Sequence, residues 1–123
     1  EKIGLIGSNA RSKYSGLLYV DCQNTGNNFI KVKTAITSGS LLSLTACEKT
    51  GPFREDFFIE GIDLEYCLRL RKHGYEILLS CRPLMTHAAG KMEEHLFFGR
   101  IVLVPNHEPW RYYLMARNLL EIL

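Results

Sequence analysis

Two residues combine a useful side chain with a position that would hold it ready: Asp63, in Gly-Ile-Asp-Leu-Glu, and His87, in Leu-Met-Thr-His-Ala-Ala-Gly. Asp63 falls in the first turn of a helical pattern, directly behind the aromatic run Phe57-Phe58-Ile59. Backbone N–H groups keep a carboxylate ionised there, so it can accept a proton, ligate a metal or simply face the helix dipole. His87 ends an apolar extended run, where an imidazole either closes a hydrogen bond or coordinates a metal. The turn Thr37-Ser38-Gly39-Ser40 offers backbone amides that could receive a phosphate. It lacks the lysine of a P-loop and the Gly-x-Ser-x-Gly of a nucleophile elbow, so an ordinary turn is the competing reading. Arg111 and Arg117, with Asn118, lie nearly two helical turns apart and would face either a phosphate or solvent. His95 and His107, with Glu93 and Glu94 nearby, match no metal-ligand spacing.

The elements that must position these groups follow from periodicity. Residues 2–7 form a short apolar run closed by Gly-Ser-Asn, the pattern of a buried strand and turn. Residues 8–28, rich in Ser, Asn and Gly, predict a long loop with one short strand at 17–20. Residues 29–36 alternate as a half-exposed strand, and 41–44 read as strand again. A short helix at 45–50 is stopped by Gly51-Pro52. A second begins near Gly61 and stops at Gly74, acidic in front (Glu60, Asp63, Glu65) and basic behind, with Leu64, Cys67 and Leu68 as its apolar stripe. Residues 75–81 alternate as a strand, Pro83 predicts a turn, and 84–87 are extended. No period is visible over 88–99; 101–104 predicts a last strand. Pro109 opens a helix whose apolar face is Tyr112, Met115, Ala116, Leu119 and Ile122.

The 123 residues, 46% hydrophobic and 23% charged, carry one globular core. A formal net charge of +2, spread evenly over both halves, argues against a nucleic-acid partner. No apolar run reaches the ~18 residues of a membrane span. The four cysteines form no C-x-x-C pair and read as buried free thiols of a reducing compartment. The start at Glu1, without Met, reads as either a processed protein or a piece cut from a longer chain.

Taken in order, Ser38-Gly39-Ser40-Leu41-Leu42, then Gly51-Pro52-Phe53-Arg54-Glu55-Asp56-Phe57-Phe58-Ile59-Glu60-Gly61-Ile62-Asp63-Leu64-Glu65, Gly74-Tyr75, Thr86-His87 and Arg111-Tyr112-Tyr113 with Arg117-Asn118 resemble one known pattern. It is the C-terminal half of an inverting family-2 glycosyltransferase of GT-A fold, rhamnosyltransferase-like, over residues 37–118. The resemblance implies an α/β fold, a partial nucleotide-diphospho-sugar transferase domain with a mixed sheet and flanking helices. Residues 1–123 would be its acceptor side, with the nucleotide-binding N-terminal half and its Asp-x-Asp motif absent, and inactive alone.

It implies Asp63 as the catalytic base and His87 as a ligand to a divalent metal, Mg²⁺ or Mn²⁺, shared with the absent half. The 24 residues between them make one helix and one strand, which returns the chain to the same edge of a sheet. Ser38, Gly39, Glu60, Glu65, Trp110, Arg111, Arg117 and Asn118 are the implied substrate contacts. Donor and acceptor would be a nucleotide sugar such as dTDP-rhamnose and a cell-surface or lipid-linked glycan, in the cytoplasm at the inner membrane face. Dimerisation through an exposed sheet edge is a further expectation. Ile62 stands where many relatives carry a second acid. A non-catalytic carbohydrate-binding domain on the same fold, with Phe57, Phe58 and Trp110 stacked on sugar, is the alternative. A nucleotide-binding regulatory fragment is a weaker rival, because no Gly-rich turn follows the first strand.

Overall fold

The computed structural model describes residues 2–22, 26–88, 90 and 92–123, with the backbone alone at Leu103. Among the described residues six strands and three α-helices follow one another: β1 Ile3–Ser12, β2 Phe29–Val32, β3 Leu41–Leu42, α1 Leu44–Thr50, α2 Ile62–Lys72, β4 Glu76–His87, β5 Met92–Phe97, β6 Arg100–Pro105 and α3 Pro109–Ile122. The main sheet has the order β2-β4-β1-β3 and is mixed: β1 and β4 are parallel, while β2 and β3 run antiparallel on the flanks. The expected mixed α/β architecture with flanking helices is therefore what the chain forms.

α1 and α2 cover one face of this sheet. Leu5 of β1 and Ile77 of β4 meet Ala46 of α1 and Tyr66, Cys67 and Leu70 of α2 in a single core. The buried stripe of α2 is thus Tyr66-Cys67-Leu70 and not Leu64-Cys67-Leu68, because α2 also packs on α1 and Phe53. Tyr66 lies against the Phe53 ring, centroids 4.1 Å apart, and Leu68 turns outward. Arg69 ties the two helices. Its guanidinium takes Glu65 one turn back in a two-pronged pair and donates to the carbonyls of Thr50 and Pro52 at 2.8 and 2.9 Å, satisfying the end of α1.

Several boundaries differ from the sequence expectation. β1 does not stop at residue 7: the polar run Ser8 to Ser12 continues the strand, paired as far as Ser12 with His87. Register supplied by a neighbour overrides local composition here. β4 likewise runs through Pro83. The β2 ladder ends at Ser80, and the Cys81 N–H still donates to the Asn28 carbonyl at 2.9 Å; at Pro83, past that bond, β4 has no β2 partner and a missing N–H costs little. β2 is shorter than expected, ending at Val32, and Leu18 makes only one bridge, to Arg11. Residues 92–105, where only one strand was expected, form a hairpin whose turn residues Phe98 and Gly99 both have positive φ, as a two-residue hairpin turn requires.

The expectation of four free thiols is overturned. Cys22 and Cys81 form a disulfide, Cα atoms 5.5 Å apart; Cys47 and Cys67 are free. Cys22 reaches β4 because the segment before it is folded back on β1: the buried Asn9 side chain donates to the Val20 carbonyl at 2.8 Å and accepts from the Val20 N–H at 3.3 Å. A reducing compartment consequently loses the support that unpaired cysteines would have given it.

Candidate active site

The parallel pair β1/β4 and the start of α2 meet at the end of the sheet where a ligand cleft is expected in α/β folds. A cleft of about 240 Å³ opens there, lined by Asn9, Tyr19, Thr34, Ile36, Asp63 and Leu79 among others. Asp63 sits at the second position of α2, behind Gly61, whose φ of 78° sets the turn into the helix. It does not cap its own helix. Oδ1 instead accepts the Thr37 N–H at 3.0 Å, reaching across to the segment that precedes the Ser38-Gly39 turn. Among the described residues its other oxygen has no hydrogen bond. The carboxylate is therefore fixed by one oxygen and open on the other, the arrangement a general base needs.

His87 ends β4 beside Ser12 and is not among the residues lining this cleft. Tyr19 connects them: it lines the cleft, and its hydroxyl lies 2.9 Å from His87 Nδ1, the two rings edge to face. Tyr19 carried no signal in the sequence, since only the fold-back of residues 13–22 brings it to the strand end. Among the described residues no three His, Cys, Asp or Glu side chains converge on a point. His87 is a single donor next to a phenol and does not by itself make a metal centre. His95 lies 3.6 Å from Glu93 on the hairpin, and His107 packs on Tyr112, well apart in their partners.

The other residues singled out in the sequence are brought together in a second place. Residues 54–61 form a loop held on α3 from beneath. Phe57 is fully buried, under the Arg54 guanidinium at 4.1 Å, so it cannot stack on a sugar. Asn118, also fully buried, donates to the carbonyls of Phe57 at 2.9 Å and Glu60 at 2.5 Å; Arg117 donates to the Asn118 side chain and to the Asp56 carbonyl. Arg111 pairs with Glu60. These polar groups thus bind the loop to the helix, and Glu65 is engaged by Arg69. Arg54 joins Asp56 and Glu121 at the rim and holds the Asp56 carboxyl below its ordinary range by hydrogen bonding. Ser38 and Gly39 are both exposed; Gly39 has φ 67°, and a Cβ there would meet Met85 Sδ at 2.9 Å and Ser8 Cβ at 3.3 Å. Trp110 is half exposed on the first turn of α3.

With this geometry in view, comparison with known proteins adds one finding. Over 98 residues, 80% of its length, the chain is 30% identical to a dTDP-rhamnosyl transferase, RfbF, of Shigella flexneri. The chain is related to a glycosyltransferase. It spans about a third (32%) of that relative's length. No family model matches, and no solved structure matches. Among the described residues no helix is long and apolar enough to cross a membrane.

Proposed function

We propose that this chain is the acceptor-side part of a GT-A sugar transferase that moves a sugar, rhamnose from dTDP-rhamnose, to a glycan acceptor. The observation that carries the reading is the relation to a dTDP-rhamnosyl transferase over most of the chain. The open carboxylate oxygen of Asp63 fits it chemically. Asp63 takes the proton of the acceptor hydroxyl as that oxygen attacks the anomeric carbon; the nucleoside diphosphate leaves from the opposite face, so configuration inverts and no covalent enzyme intermediate forms. For the Mg²⁺ or Mn²⁺ suggested by the sequence resemblance, no three His, Cys, Asp or Glu side chains converge among the described residues, and no step is derived through it.

Asp63→Asn tests the reading, because an asparagine oxygen can still accept the Thr37 N–H while the amide cannot take a proton. Transfer from dTDP-rhamnose by the polypeptide that carries this sequence should fall by about 10²–10⁴-fold, with folding unchanged. Undiminished turnover would remove Asp63 as the base.

A further inference from the structure

The loop over Asn118 carries an unusual centre. Phe58 has φ 59° and ψ −71°, and the Ile59 N–H donates to the Phe57 carbonyl at 2.8 Å, closing a three-residue γ-turn of the positive-φ kind. That turn is rare and strained for any residue with a Cβ, and persists only where its surroundings over-determine it. Here they do: Phe57 is anchored in the interior on one side, and Asn118 holds the carbonyls of both Phe57 and Glu60. The strain gains no burial for Phe58, which is 70% exposed. What it achieves is to set the Phe58 ring beside that of Trp110, centroids 6.3 Å apart and planes at 57°. Arg111 follows Trp110 directly, its partner Glu60 comes two residues after Phe58, and Asp63 comes three residues after Glu60.

Exposed aromatic faces beside a carboxylate and a guanidinium match a pyranose ring, which offers an apolar C–H face to stack and hydroxyls to hydrogen-bond. We infer that Phe58 and Trp110 form a binding platform for a saccharide, seating the sugar acceptor on the loop that leads into α2 and Asp63. The inference rests on the transferase reading only for the choice of a sugar as ligand, and its test involves no transfer.

Trp110 is the sole tryptophan, so its emission reports on the platform directly. The chain is titrated with a trisaccharide of L-rhamnose, in parallel with dTDP, by fluorescence and by saturation-transfer NMR of the sugar protons. The trisaccharide should shift Trp110 emission saturably. Phe58→Gly, which suits the same backbone conformation, should weaken that binding about tenfold, the loss of one aromatic contact, with an unchanged far-ultraviolet circular dichroism spectrum. Absence of saturable binding by both methods, equal binding by Phe58→Gly, or a response to dTDP and not to the sugar would each overturn the platform. Failure of the transferase reading shows elsewhere, as turnover that survives Asp63→Asn.

Discussion

Replacing Asn118 with Leu removes the side chain that joins α3 to the loop before α2, with little change in volume. Two bonds from Nδ2 to the Phe57 and Glu60 carbonyls are lost, at 2.9 and 2.5 Å, together with the acceptance of the Arg117 guanidinium at 2.9 and 2.7 Å. Each neutral bond contributes about 1 kcal/mol, and a buried carbonyl left without a donor adds a penalty of similar size. Arg117 is not fully buried, and water replaces much of its share. The sum is about 3 kcal/mol, a sizeable part of the roughly 6–18 kcal/mol expected for a domain of this size. The midpoint of thermal unfolding should fall by about 10 °C. Urea denaturation followed through Trp110, on the same helix, measures the change. A loss below ~1 kcal/mol would show that Asn118 does not clamp the loop, and the over-determination of the Phe58 turn would fall with it.

Phe58→Gly should raise stability even as it weakens saccharide binding. Release of about 1–3 kcal/mol of backbone strain exceeds or matches the ~1 kcal/mol of chain entropy that glycine costs, and a lower unfolding midpoint would refute it. Gly61→Ala should destabilise the chain by about 1–2 kcal/mol, since φ is 78° and the new Cβ would lie 3.2 Å from Ile122 Cδ1, pressing α3 away from the start of α2; calorimetry checks this. Alkylation of the unreduced, unfolded chain followed by mass measurement should find two reactive thiols, Cys47 and Cys67, and four would exclude the disulfide. Burial pushes the Cys67 thiol up. In the unfolded chain it ionises within the ordinary thiol range while the folded chain keeps its proton, so this contribution is present below that range and lost as pH rises through it; Cys67→Ala should flatten the fall in stability there.

The helices were readable from the chain because their signals are local: Gly51-Pro52 after α1, acids before bases along α2, Pro109 at the start of α3. The strands were read less well. Residues 8–12 are extended because 83–87 lie beside them, Pro83 hides the continuity of 84–87, read as extended, with the strand before it, and no alternation in Met92–Phe97 announces the hairpin. Asp63 could be singled out from its place behind the aromatic loop, though its bond to Thr37 depends on a turn 26 residues away. Arg111, Arg117 and Asn118 were legible as a cluster, but their partners, the loop carbonyls and Glu60, depend on packing between segments more than fifty residues apart. Tyr19 and the Cys22–Cys81 pairing were invisible for the same reason: the fold-back that creates both is written in one buried asparagine, Asn9.

That disulfide gives the molecule a mechanical shape. It closes a ring across a sequence separation of 59, enclosing β2, β3, α1, α2 and the first half of β4, while the hairpin and α3 lie outside. A pull on the two ends would travel through Cys22 and Cys81 and leave the ring unstretched. About 200 Å of contour would be withheld until the bond is reduced. Asp63 sits inside the protected ring, and Asn118 and Trp110 sit outside it.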